Sequence, residues 1–551
     1  MNSPALYLKS KFQHMNKRAL ILISCLMYMF SAYAQTDTIK TDIIDVIKPF
    51  KAVLSEALKI PSNPNPEVPE TTTPELVYKL PELRHSDVPT LYTIKPLSLG
   101  TQLLPKTKNN YTRMGYGNYQ MPLFEVYMNT KRNRDYQLGT FIKHLSADGG
   151  NMQQFSNNTA SIYGKRFIDN GIIDADLLYH RNVVNLYGAK RDDLTQGNML
   201  RNQFDLIDAN VSYGNVQKDT SKLTYKVGVN YYNYALNNNF SENNFKLSGN
   251  FRKSLDGNPI NVYTAVQLNQ SNILDTGYNR TFVDINPDYT LNINNRFKIL
   301  LGFNSTTFVD SAGTKFHFFP KADVSYQIIP RAFTVFGGIT GNLQRHTLRS
   351  ITTENPFMRG IGFENTLNQF ETYGGIRGII SPQTSFTVRA SYATIKNMLF
   401  FGADSVIFSQ HTIYDASAAG LTTITAELNH DFYDHFHFAF NMNYFGYDLS
   451  INAPYSRPTF ITATNLWYNI SSKFLVRGEV YTWNSRSILI SNVEEQNMKG
   501  FVDLNLGFEY RYSKTVALFL NINNLANNKY ERWFNLPVYG FNIMGGLGVS
   551  F

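Results

Sequence analysis

The chain has almost no cysteine: its single one, Cys25, falls in a segment expected to be removed, so no thiol, disulfide or cysteine-bound metal is expected in the mature protein. Charge is also scarce, at 17% of residues, and the net +9 falls to +5 once Lys9, Lys11, Lys17 and Arg18 are removed with that segment. So mild a balance excludes a nucleic-acid partner, which calls for a concentrated basic patch. Beyond the N-terminal run there is no stretch of 18 apolar residues, hence no membrane-spanning helix. That absence leaves strands free to cross a bilayer, because they do so by alternation. There is no glycine-rich phosphate loop, no G-x-S-x-G and no H-E-x-x-H, so neither an enzyme nor a cofactor is expected.

What the chain has is aromatics: 40 Phe and 35 Tyr, at a mean hydropathy of −0.27. They fall in alternating runs. At the C-terminus Phe541, Ile543, Leu547, Val549 and Phe551 share one register and Asn542, Gly546, Gly548 and Ser550 the other. The preceding run opposes Val516, Leu518, Leu520 and Ile522 to Asn521 and Asn523, and the one before that opposes Leu504, Leu506, Phe508 and Tyr510 to Asp503, Asn505, Glu509 and Arg511. An open edge of such strands would template aggregation, and closing a barrel removes the edge. The reading is therefore an all-β, antiparallel up-and-down barrel in an outer membrane, surrounded by lipid. Its lumen-facing candidates are Arg477, Glu479, Asp503, Asn505, Glu509, Arg511, Asn521 and Asn523.

The segment LFLNINNLANNKY places Asn521, Asn524, Leu525, Asn527 and Tyr530 in an N-x-x-N-L-x-N-x-x-Y pattern ahead of a terminal strand ending in Phe. This resembles the C-terminal end of TonB-dependent receptors. The resemblance implies a 22-stranded barrel, a globular N-terminal plug, uptake driven by an inner-membrane energy-transducing protein, and a terminal aromatic, Phe551, read by the barrel-assembly machinery.

The front of the chain departs from that pattern. Residues 1–34 read as a secretory signal, with a basic start, an apolar core and an Ala32-x-Ala34 end; Met15 is a possible true start. A lipoprotein reading through Cys25 would strand LMYMF after the cysteine. Residues 35–110 hold ten of the 21 prolines, from Pro49 to Pro105, and form a linker or a reduced plug. A short helix fits 50–59, and 37–47 weakly resembles the extended motif that engages the energy partner.

From 111 to 551, runs of ten to fourteen residues between turn signals count to about 22 strands, an even number that puts both ends in the periplasm. Short connections are expected near 131–135, 169–171, 217–222, 256–259, 294–296, 329–331, 381–383, 431–434, 470–473 and 512–514. Longer outer loops are expected at 187–201, 346–367, 403–418, 488–498 and 525–539. His430, Asp431, Asp434, His435 and His437 form the one tight group of metal-type ligands, and they surround a turn where such residues are ordinarily wet, so no metal is expected. Tyr530, Trp533, Phe534 and Tyr539 read as an interface girdle ahead of a ligand platform.

Three functions fit: receptor-like transport with the lumen occluded by 35–110, a passive pore, or a structural subunit holding an envelope protein partner. An open lumen of this width would leak, and 35–110 is taken as the only spare material to fill it.

Overall fold

The computed structural model describes residues 108–551 apart from 151, 189–200, 218–220, 238, 275, 295, 406–408 and 433–434. The signal, the proline-rich segment to residue 107, the helix at 50–59 and the motif at 37–47 lie outside the described residues, as does Asp434.

Strict period-two alternation has one geometric outcome, a sheet with two unlike faces. Here it closes on itself. Twenty-two antiparallel wall strands each pair with the next, and the first, Tyr111–Gly117, pairs with the last, Asn542–Ser550, from Tyr111↔Ser550 to Gly117↔Met544. Beyond the last strand, Asn110 and Phe551 exchange backbone hydrogen bonds of 3.1 and 3.0 Å. The seam is tight. A Cβ at Gly546 would lie 2.1 Å from the carbonyl oxygen of Met114 and 2.6 Å from the Phe519 ring, so only glycine lets Phe519 lie across it.

The outward set is apolar and exposed: Ile142, Leu177, Ile207, Val211, Val229, Leu247, Leu268, Leu301, Val324 and Leu518 among others. Exposed aliphatics on that scale are tolerated only against lipid. The inward set carries the charge, and its members pair across strands: Lys143 with Glu125 at 3.1 Å, Lys165 with Asp174 at 3.3 Å, and Lys321 with Asp288 at 3.4 Å. A closed barrel satisfies every strand's backbone groups without water, which is the condition for crossing an outer membrane.

The two ends differ. At one end the connections are tight, as at Asp256 and Gly257, whose φ angles of 49° and 81° make the two-residue turn that matches strand twist. That end, periplasmic in outer-membrane barrels, carries both Tyr111 and Ser550. It also carries the aromatic girdle, with ring contacts Phe432–Phe436 at 5.2 Å, Phe436–Tyr468 at 6.0 Å and Phe474–Tyr510 at 4.6 Å. The other end carries the long connections 345–365, 449–459, 484–500 and 524–541. Strands Thr384–Ala403 and Gln410–Phe432, of 20 and 23 residues, far exceed the roughly 9–11 residues a bilayer needs and project beyond it. The outer loop expected at 403–418 is accordingly strand from Gln410 onward.

Candidate functional site: the outer mouth

Loop 345–365 joins strands Phe333–Gln344 and Thr366–Ser381, and it turns inward. Its helix, α1 (Leu348–Glu354), starts at Thr347, whose hydroxyl accepts the amide of Ser350 while the Thr347 amide donates to the Ser350 hydroxyl. The first turn has no acidic residue of its own. The wall supplies one: Glu242, fully buried, accepts the Leu348 amide at 2.7 Å and also the hydroxyls of Tyr232 at 2.6 Å and Ser271 at 3.1 Å. Negative charge at a helix start satisfies unpaired amides and is attracted by the positive end of the helix dipole.

Three arginines extend the clamp. Arg345 pairs with Asp284 and donates to Gln267 at 2.6 Å. Arg349 reaches Asp208 at 2.7 Å with its guanidinium 4.6 Å from the Tyr232 ring centre. From the wall, Arg280 donates to the His346 carbonyl at 2.7 Å and to Asn269 at 2.8 Å. Asn202 donates to the Pro356 carbonyl at 2.9 Å, and Tyr234 meets Thr352 at 2.6 Å. The wall residues in these contacts all sit in the register opposite the exposed Ile207, Val229, Leu247, Val266 and Ile285. The loop therefore lies inside the lumen, in its outer part.

Apolar packing completes the seat. Leu348 joins Phe204, Leu206, Tyr232, Tyr234 and Leu236 in one cluster. Ile351 and Met358 join Leu399, Phe401, Trp533 and Leu536 in another, where loops 345–365 and 524–541 meet the wall. Each such side chain contributes about 1.5–3 kcal/mol by burial. Loop 524–541 is tied across the opening as well: the Pro537 carbonyl accepts from Gln153 at 2.8 Å and Tyr187 at 2.9 Å, and the Tyr539 hydroxyl donates to the Gln153 carbonyl at 2.8 Å. His346 is buried, and burial foremost, with Arg457 and Arg280 adding, lowers its pKa to about 4. It is neutral at pH 7. Thr366 donates to the Asn397 carbonyl, so it accepts from His346 Nε2 at 2.8 Å, which assigns the proton to that nitrogen. Arg486 is lowered to about 10 by burial and donates to the carbonyls of Glu531 and Arg532 at 2.6 and 2.7 Å.

Two expectations change. The aromatic loop is not a lipid girdle: Trp533 is 7% exposed with its ring 5.2 Å from Phe401, and Tyr530 stacks on Phe501 at 3.8 Å and donates to Asp503 at 2.8 Å. Nor is 35–110 the only spare material, since the outer loops themselves obstruct the mouth. Both errors share a cause. Hydropathy does not tell a ring packed under a loop from a ring packed against lipid.

The lumen candidates lie along the last wall strands. Arg477 pairs with Glu509 at 3.8 Å, and Arg511 with the same carboxylate at 3.0 Å. Glu479 stands opposite Asn465 and Asn505 on its two neighbouring strands. Asn505 accepts the Asn524 amide at 2.9 Å, Asn523 donates to Asn542 at 3.1 Å, and Asn521 stands opposite Gly507 and Met544. These residues do not converge with the loop clamp. The histidine group is split: Asp431 and His437 are paired on one face, while His430 turns to Thr384 at 2.7 Å on the other. Among the described residues no three metal-type ligands converge. The sequence reading missed the clamp of Asp208, Glu242, Arg280, Asp284, Arg345 and Arg349. A signal was present, since the basic run R-H-T-L-R at 345–349 faces acids spaced on inward positions of three strands.

No family model matches the chain, and no curated protein does. Solved structures do. The FrpB iron transporter from Neisseria meningitidis (F3-3 variant) is similar at a TM-score of 0.64 and 10% identity, over 81% of this chain and 82% of that one. The siderophore receptor PirA from Acinetobacter baumannii gives 0.61 and 10%, over 81% of each chain. The pyoverdine outer membrane receptor FpvA from Pseudomonas aeruginosa PAO1, bound to pyoverdine, gives 0.61 and 10%, over 81% of this chain and 79% of that one. At such identity the likeness carries the fold alone, the closed 22-stranded antiparallel barrel that these outer-membrane proteins share with this chain.

Proposed function

We propose that this TonB-dependent-receptor-like barrel carries a solute across the outer membrane and that loop 345–365 keeps its outer mouth shut until the loop is drawn off the wall. The observation that carries the reading is the seat of α1 on Glu242, flanked by the Arg345 and Arg349 pairs. A loop clamped into the entrance favours gated passage over a standing open pore. The iron and siderophore cargo of the structural neighbours supplies the first substrates to assay. We assign the energising partner to an inner-membrane protein reached through 37–47, and insertion to the barrel-assembly machinery through Phe551. Residues 76–105 are assigned to the lumen beneath the loop, where inward polar groups such as Asp503, Asn505 and Arg511 accept irregular backbone.

Planar-bilayer conductance tests this directly. The intact protein is expected to be closed, replacement of 347–364 by a short flexible linker to open it partly, and the same replacement combined with deletion of 76–105 to open it widely. An intact protein that already conducts as a wide channel refutes the gate. Full conductance on loop replacement alone removes 76–105 from the lumen.

A further inference from the structure

Beside the seated loop, at the outer rim, lies a cavity of about 620 Å³ whose lining includes Arg280, Lys315, Lys396, Phe363 and Tyr278. We propose that it binds a ligand through a carboxylate or phosphate oxyanion, an assignment that deepens the transport reading by naming the chemistry recognised at the entrance.

Arg280 lines the cavity from strand Thr276–Ile293. It is 5% exposed, and among the described residues no carboxylate pairs with it, whereas Arg345, Arg349 and Arg457 each have one. A buried guanidinium with no carboxylate in contact is costly, and Glu242 and Asp310 act on it only from beyond ion-pair distance. Its two terminal nitrogens donate to neutral oxygens of His346 and Asn269, and its Nε–H, also buried, has no acceptor. The chain thus keeps a positive charge and an unused donor at the wall of a cavity of ligand size.

The surroundings agree in sign. Lys315 and Lys396 are exposed lining residues that form no ion pair among the described residues. Two carboxylates also line the cavity. Asp310 has one oxygen committed to the Ala312 amide at 2.8 Å, and Glu364 is exposed, so three cations stand against two acids and the buried charge is the cation. A buried guanidinium with a spare Nε–H and lysines around it is an arrangement that attracts an oxyanion. Phe363 gives the rest of the ligand a flat shelf: the Arg280 guanidinium lies 4.8 Å from its centre, and Tyr278 meets it edge-on at 5.9 Å. Because Arg280 also holds the His346 carbonyl, an occupant of the cavity bears on an anchor of the gate loop.

Isothermal titration of the full chain in detergent, with citrate and separately with inorganic phosphate, tests the site. Saturable binding is expected for at least one, weakened about tenfold or more in K315M/K396M. Neither lysine takes part in the loop clamp, so heat-modifiable migration of that variant should match wild type. A second variant, R280K, keeps the charge and loses the spare Nε–H, and is expected to bind more weakly as well. A parallel arm adds lipopolysaccharide. If it competes with the same lysine dependence, the oxyanion assignment holds and the phosphate is a lipid's; if it does not compete, the oxyanion belongs to a free solute. No saturable binding of either anion, or binding unchanged in K315M/K396M, overturns the proposal. Binding is read without transport, so either outcome leaves the conductance result standing on its own.

Discussion

The carboxylate of Glu242 on the inner wall accepts the backbone amide of Leu348, the first residue of the loop helix, across 2.7 Å. The two lie 106 residues apart in the chain. Through this contact the barrel wall, and no residue within the helix, supplies the negative charge at the helix start.

Removing that carboxylate should unseat the loop. Glu242→Ala leaves the Leu348 amide and the hydroxyls of Tyr232 and Ser271 without their acceptor, at about 1–3 kcal/mol for each buried orphan. Frequent channel openings in single-channel recordings and faster amide exchange at 348–354 are expected, with the barrel still heat-modifiable. Glu242→Gln keeps one acceptor oxygen and should fall between. Wild-type recordings from Glu242→Ala would show that the helix is held by packing alone.

The Arg349–Asp208 pair allows a charge swap. Arg349→Asp alone sets two carboxylates against each other and forfeits the stacking on Tyr232. It should sensitise cells to bulky antibiotics. Adding Asp208→Arg should restore part of the barrier but not all, because the reversed pair places no guanidinium on the ring. Equal sensitivity of the single and double variants would mean that the pair does not hold the gate.

Acid should loosen the mouth. His346 is neutral in the seated loop, with a pKa near 4 against about 6.5 when free, so the released loop binds the extra proton. The closed state keeps its full advantage above pH 6.5 and loses it as pH falls toward 4, by roughly 3 kcal/mol in all. The groups facing the ring are Thr366, Tyr414, Arg280 and Arg457, none of which offers the imidazolium an anion. Conductance measured from pH 7.5 to 4 should rise across that window, and His346→Gln should flatten the profile. A flat wild-type profile would exclude His346 from the gate.

Closure of the barrel should depend on two small features of its last strand. Gly546→Val places atoms against the Met114 carbonyl and Phe519 at the seam, and is expected to abolish heat-modifiable migration. Deleting Phe551 removes the backbone pair with Asn110 and the terminal aromatic, and should lower the yield of folded barrel far more than deleting 37–40. Comparable yields of folded protein from both deletions would leave Phe551 without a part in assembly.

Much of the wall was legible from residue order because the signal is local. A strand's faces are settled by its own alternation, so Leu504, Phe508 and Tyr510 against Asp503, Asn505 and Glu509 suffice to orient that strand, and an even run of such segments closes with both ends together. Short turns are local too, as Asp256 and Gly257 illustrate.

The seated loop was not legible, for the opposite reason. Its energy lies in pairs far apart in the chain, Asn202 with Pro356 at 154 residues and Arg349 with Asp208 at 141. No periodicity within 345–365 says whether that loop spreads over the surface or folds into the lumen. Trp533 and Tyr539 carry the same hydropathy in either place. The alternating residues by themselves determined a closed barrel with a polar interior. Only the tertiary structure decided that the outer mouth is obstructed, because that depends on which distant inward-facing acids meet the basic run at Arg345 and Arg349 once the wall has brought them together.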